Sequence, residues 1–115
     1  MSRLFLFCIV LISCRSPQCI ADQAAVDEFE KHYNVIKTAE ETKTSFLVKD
    51  YRNALLFLTN VTGIDSRAEY SSTVGYRNKR FYKEDMKAWR TWLNKNRCRL
   101  TKQYIDSALA KVQLW

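Results

Sequence analysis

The chain has few of the residues that break regular structure or build common catalytic sites. Its 115 residues include two glycines and one proline, and the proline, Pro17, lies near the N-terminus. Helices tolerate this composition, whereas strand-rich folds need more turn residues. A phosphate-binding glycine loop is also excluded, because two glycines cannot supply its pattern. The scarcity of glycine and proline therefore predicts an all-α fold.

Histidine is nearly absent, which limits both metal and nucleophile chemistry. The single histidine, His32, stands beside Tyr33 on the polar flank of a predicted helix, and we expect it to be exposed. It cannot complete a zinc site unless cysteines or carboxylates converge on it, and their spacing does not favour this. A nucleophile pair would require Cys98 to meet His32 across the fold, and we do not favour this arrangement. We therefore predict no catalytic residue, metal site or cofactor.

The chain also lacks an apolar run long enough to span a bilayer, which takes about 20 residues. Its longest run extends from Leu4 to Ile12, after Arg3, and small and turn-forming residues follow. This is the order of regions in a secretory signal. We predict a signal peptide over residues 1–21 and a single helical domain over residues 22–115.

Two cleavage sites are compatible with this signal. The segment Leu11-Ile12-Ser13-Cys14 resembles the lipobox of bacterial lipoproteins, which implies that a lipidated Cys14 becomes the N-terminus. Alternatively, Cys19 and Ala21 are small residues placed for conventional cleavage before Asp22.

The two cleavage sites leave different cysteines. Lipidation at Cys14 leaves Cys19 and Cys98, an even pair that could form a disulfide in an oxidising compartment. Cleavage before Asp22 leaves Cys98 as a single thiol. The alternative for Cys98 is a buried small apolar side chain, as free cysteine often is.

Positive charge is concentrated near the C-terminus. Residues 77–99 contain nine basic and two acidic side chains, whereas the rest of the chain from Asp22 has eight basic and ten acidic ones. A basic half suggests an acidic counterpart: phospholipid head groups, lipopolysaccharide or an acidic protein surface. Nucleic acid is disfavoured by the predicted export. The alternative is a solvated face that keeps the protein soluble.

The apolar periodicity predicts four helices. They cover residues 23–40, about 47–62, about 81–96 and 101–113, with Gly63 as a left-handed C-cap and Thr101 as an N-cap. The expected fold is a small all-α bundle of about four helices with one long loop, 64–79. Loops of this length are often functional, so Tyr70 and Tyr76 are candidate partner-binding residues. Alternatively, they fold the loop down onto the helices.

The third predicted helix has two distinct faces. Trp89 and Trp92 lie on the apolar arc, and Asp85 falls inside the same arc, where a carboxylate needs hydrogen-bond partners. We predict that Asp85 anchors the preceding loop. The opposite stripe is basic and is expected to face solvent, where it could bind a partner; it contains Lys83, Lys87, Arg90 and Arg97.

The middle of the chain resembles a helical pattern, "TG … Y..D...W..W...N". It is carried by Thr62-Gly63, Tyr82, Asp85, Trp89, Trp92 and Asn96. We associate this pattern with small uncharacterised bacterial envelope proteins and with the terminal helix pairs of HEAT-like repeat proteins. The resemblance covers about 40 residues, too short for a repeat array, and implies an α-helical interaction module without catalytic residues.

These features together predict a non-enzymatic, exported protein of the bacterial cell envelope, periplasmic or lipid-anchored, that acts by binding. Its partner would be a protein, as for an immunity-type inhibitor. The alternative is a membrane- or glycolipid-associated structural protein that uses the basic stripe. A more distant alternative is a small hydrolase that uses Cys98 or Asp85.

Overall fold

The computed structural model describes residues 19–42, 46–70 and 74–112. They form four helices: α1 (Gln23–Thr42), α2 (Val48–Thr62), α3 (Lys79–Asn96) and α4 (Lys102–Leu109). Within these ranges there is no sheet, and Glu69 and Gly75 form an isolated antiparallel bridge. The predicted all-α bundle is confirmed. The predicted signal up to residue 18, including Cys14, lies outside the described residues.

Local hydrogen bonds explain the bounds of the helices. Gly63 ends α2 with a φ of 72°, and its N–H donates to the Thr59 carbonyl at 2.8 Å, so the predicted C-cap is confirmed. The predicted Thr101 N-cap is confirmed as well, because its hydroxyl accepts from the Tyr104 N–H at 3.0 Å. α3 begins earlier than expected because the Asn78 side chain accepts from the Arg80 N–H at 2.9 Å. The predicted end of the last helix at residue 113 is wrong, since α4 ends at Leu109.

The core forms where the apolar faces of the four helices meet around α2. Trp89 is fully buried, and its indole N–H donates to the Ile64 carbonyl at 3.2 Å. Trp92 is half-buried and stacks on Phe29, with ring centroids 6.0 Å apart. The predicted core face of α3 is therefore correct, with Trp89 at its centre. Other fully buried members are Ile36, Tyr51, Leu55, Phe57, Leu58, Leu93, Leu100 and Ile105.

The segment before α1 is tied to the start of α4. Cys19 and Cys98 form a disulfide across 79 positions of sequence, and both residues are exposed. The pairing is therefore confirmed, and the alternative of a buried Cys98 is wrong. Asp22 adds a second tie: its carboxylate accepts from the Ala25 N–H at 3.2 Å and from the Lys102 N–H at 3.0 Å. The hydrogen bonds from these two backbone N–H groups lower the pKa of the Asp22 carboxyl, and the bond from Lys102 has the larger effect.

None of the helices in the described ranges is long and apolar enough to cross a membrane.

Candidate functional site

The loop between α2 and α3 is anchored on the buried carboxylate of Asp85, which is 3 % exposed. One oxygen accepts from the Arg67 backbone N–H at 2.8 Å and from the Tyr76 hydroxyl at 2.8 Å. The other accepts from the Arg67 guanidinium, from Nε at 3.0 Å and from Nη2 at 2.9 Å. The predicted anchoring role of Asp85 is therefore confirmed.

A second carboxylate holds the other end of this loop. Glu40, near the end of α1, accepts from the Tyr51 hydroxyl at 2.6 Å and from the Tyr76 N–H at 3.1 Å. Gly75 has a φ of 130°, and a Cβ there would lie 3.0 Å from the Glu40 carboxylate. Glycine is therefore required for the loop to approach α1 this closely.

The two tyrosines proposed as partner contacts differ in their surroundings. Tyr76 is half-buried, its hydroxyl donates to Asp85, and burial raises its pKa far above the usual range. Tyr70 is 38 % exposed, and its carbonyl accepts from Arg52 Nε at 3.2 Å. The described part of the loop therefore lies folded against the helices, and only Tyr70 presents an open aromatic face. Residues 71–73 of the predicted loop lie outside the described residues.

One concave surface lies between α1 and α3, which run in opposite directions. Glu30 of α1 contacts Arg90 of α3, and Glu41, eleven residues on, accepts from the Tyr82 hydroxyl at 3.5 Å. Two cavities of about 310 and 420 Å³ lie along this surface and share Glu41, Tyr82 and Lys83. We call them together the seam groove. Its α1 wall contains Tyr33, Lys37, Glu40 and Glu41, and its α3 wall contains Lys79, Tyr82, Lys83, Met86, Lys87, Arg90 and Thr91.

The seam groove combines aromatic side chains with unpaired positive charge. Lys37, Lys83 and Lys87 are exposed and form no ion pair within the described residues. Tyr33 and Tyr82 lie beside them. Tyr82 is largely buried, and this burial raises its pKa to about 12. The groove can therefore attract an anionic group and pack against its carbon skeleton.

The prediction that Arg90 faces solvent on the basic stripe is wrong. Its guanidinium is paired in bidentate fashion with Glu30, with Nη2 at 2.8 Å from Oε2, and lies 4.3 Å from the centroid of the Tyr33 ring. This pairing lowers the pKa of Glu30. The helical wheel placed Arg90 correctly on α3 but could not show that α1 crosses that position. Lys83 and Lys87 line the groove, whereas Arg97 is exposed and lies outside its lining.

The expectation that His32 is exposed is also wrong. The ring is half-buried and stacks on Phe57, with centroids 4.1 Å apart. Desolvation, with the nearby Lys31, lowers the pKa of His32 to about 4, so the imidazole is neutral at physiological pH. Among the described residues, no group of three or more histidine, cysteine or carboxylate side chains is placed to hold a metal ion.

Sequence reasoning missed the α1 side of the groove. Tyr33, Lys37 and Glu41 recur at intervals of four residues and therefore share one helical face. That spacing is visible in the sequence, but nothing in it indicates that α3 lies against this face.

No family model, curated protein or solved structure matches this chain.

Proposed function

We propose that this protein is an exported, non-catalytic binding protein that holds an acidic segment of a partner protein in the seam groove. The observation that carries the proposal is a set of lysines that form no ion pair within the described residues, Lys37, Lys83 and Lys87, around the half-buried ring of Tyr33. Such cations in a concave surface attract an anionic partner, and the exposed part of the Tyr33 ring supplies contact area.

The position of the lysines favours a polypeptide over a membrane as the partner. A bilayer is broad and nearly flat, and it contacts the crests of a protein surface rather than its clefts. Lys83 and Lys87 line a cleft between two helices, and Arg90 of the same stripe is already paired with Glu30. A narrow chain can enter such a cleft, and its carboxylates can reach Lys83 and Lys87 on the α3 wall and Lys37 on the α1 wall.

Export is supported by the disulfide, because disulfides persist mainly in oxidising compartments. The bond also restricts where a signal could be cleaved. Cleavage before Asp22 would remove Cys19 and leave Cys98 without its partner. Processing ahead of Cys19, such as at Cys14, preserves the bond. The disulfide thus favours the lipoprotein alternative.

A binding role without catalysis is supported by the two side chains that a hydrolase would need. Cys98 is oxidised in the disulfide and has no thiolate to attack a substrate. Both oxygens of Asp85 accept hydrogen bonds from Arg67 and Tyr76, which hold the loop in place. Each of these groups has a structural task in the fold.

The proposal is tested by charge reversal in the groove. Lys83→Glu with Lys87→Glu should weaken binding of a fluorescent oligoglutamate peptide at least tenfold, measured by anisotropy at low salt. The matched control is Lys49→Glu with Arg97→Glu, which makes the same charge change at exposed positions outside the groove. The control should retain most of the binding, and the wild-type affinity should fall as salt rises.

Equal losses in both double variants would show that net charge, and not the groove, attracts the peptide. Co-sedimentation with anionic and neutral vesicles distinguishes the alternative function. Tight binding to anionic vesicles without binding to the peptide would show that the partner is a membrane surface and not a protein.

A further inference from the structure

Three lysines form a regular row on the α3 wall of the seam groove. Lys79, Lys83 and Lys87 are four residues apart, and all three line the groove. A helix rises 1.5 Å per residue, so neighbouring lysines in this row are about 6 Å apart along the axis. The row therefore spans about 12 Å.

This spacing is close to the side-chain repeat of an extended polypeptide. Alternate residues of a strand point to the same side and are roughly 6.6 to 6.8 Å apart. A mismatch of less than about 1 Å at each step is within the reach of a flexible lysine side chain. Five extended residues would place their first, third and fifth side chains opposite the three lysines.

The α1 wall carries Lys37 and, in the part of the groove lined by Lys79 and Lys83, two carboxylates. Glu41 is exposed, accepts from the Tyr82 hydroxyl, and lines the groove together with Lys83. Glu40, one residue earlier, lines the same part of the groove. An acidic side chain directed at these carboxylates would meet like charge, whereas an uncharged one would not.

We infer that the seam groove binds an extended peptide segment with acidic side chains at alternate positions. Those side chains face the lysine row, and uncharged residues between them face Glu41 and Tyr82. The inference rests on the proposed function for the acidity of the partner and adds to it the conformation and the spacing of the charges.

The test compares two fluorescent peptides of equal composition on the full chain with its disulfide intact. One has the core Asp-Thr-Asp-Thr-Asp, and the other has Thr-Asp-Asp-Asp-Thr, so their net charge is the same. The alternating peptide should bind about three- to tenfold more tightly, because it gains one or two additional ion pairs and avoids Glu41.

Two variants test whether Glu41 on the α1 wall causes the preference for the alternating peptide. Glu41→Gln should strengthen binding of the contiguous peptide and leave the alternating one nearly unchanged, so that the preference shrinks. Asp50→Asn is the control, since it removes an exposed carboxylate from α2, outside the groove. It should leave the preference intact.

The outcomes separate this inference from the proposed function. Suppose that both peptides bind equally well and that both lose binding when Lys83 and Lys87 are reversed. This result would overturn the alternating spacing of acidic residues but would leave the proposal of an acidic partner intact. Failure of both peptides to bind would overturn both proposals. Tighter binding of a single-stranded oligonucleotide of equal charge would overturn the peptide as the occupant, because phosphates also repeat along an extended chain.

Discussion

Arg67 donates three hydrogen bonds to Asp85, one from its backbone N–H and two from its guanidinium. The guanidinium also lies 4.4 Å from the centroid of the Phe81 ring and 2.9 Å from Glu84. One residue of the loop thereby covers the buried carboxylate and joins the loop to α3. The start of α3, which forms the lysine wall of the seam groove, depends on this contact for its position.

Replacing Asp85 should therefore destabilise the protein. Asp85→Asn keeps the volume but removes the charge and turns one of the two acceptor oxygens into an NH2 group that faces a donor of Arg67, so the free energy of unfolding should fall by on the order of 3 kcal/mol. Urea denaturation followed by tryptophan fluorescence measures the change. Glu84→Gln is the control, because Glu84 contacts the same guanidinium at an exposed position and should cost under about 1 kcal/mol. Equal effects of the two variants would contradict the anchor.

Trp89 should contribute more to stability than Trp92. Trp89→Ala removes a fully buried indole and its hydrogen bond to the Ile64 carbonyl, and should cost roughly 3 to 5 kcal/mol. Trp92→Ala removes a half-buried ring and should cost clearly less. Chemical denaturation followed by circular dichroism compares them without relying on tryptophan emission. An unchanged midpoint in Trp89→Ala would show that the face assignment of α3 is wrong.

The disulfide should raise stability and make it sensitive to reductant. Breaking the Cys19–Cys98 bond frees a loop of 79 positions in the unfolded chain and should cost roughly 2 to 5 kcal/mol. Cys98→Ser tests this by urea denaturation with and without a thiol reductant. The wild type should lose stability on reduction, whereas the variant should not respond. A wild type indifferent to reductant would contradict the prediction.

The mature N-terminus should retain Cys19. We expect mass spectrometry of the protein from its native host to find a lipid-modified Cys14 as the first residue. A chain that begins at Asp22 would contradict both lipidation and the disulfide. A chain that still begins at Met1 would contradict export.

Protonation of His32 should lower stability in mildly acidic solution. Its pKa falls from 6.5 to about 4 in the folded protein, so the unfolded state binds more protons between these values and stability declines as pH falls through that window. Because the ring is half-exposed, we expect a loss on the order of 1 kcal/mol. Urea midpoints above and inside the window should differ less for His32→Gln than for the wild type. An equal slope in both would mean that other groups, such as the Glu30 and Asp22 carboxylates, cause the decline.

Several features of the fold follow from single stretches of sequence. The period of apolar residues marks four helices, and Gly63 and Thr101 mark a helix end and a helix start, because caps depend on hydrogen bonds within a few residues. The anchoring role of Asp85 can also be predicted from the sequence, since a lone carboxylate on an apolar helix face requires hydrogen-bond partners. The number of cysteines allowed the Cys19–Cys98 pair but could not select it over a free thiol.

The rest depends on which helices become neighbours. A helical wheel places Lys87 and Arg90 on the same side of α3. Only the fold brings Glu30 and Tyr33 against Arg90, while Lys87 forms no ion pair in the part of the chain that the structure describes. Burial of His32 against Phe57 arises in the same way, from the packing of α1 on α2. The sequence by itself determined the helices, their caps and the apolar faces, because these depend on interactions between residues close together in the chain. Only the tertiary structure decided which charges are neutralised and which line the seam groove, because charge pairing depends on distances between residues as far apart as Glu30 and Arg90.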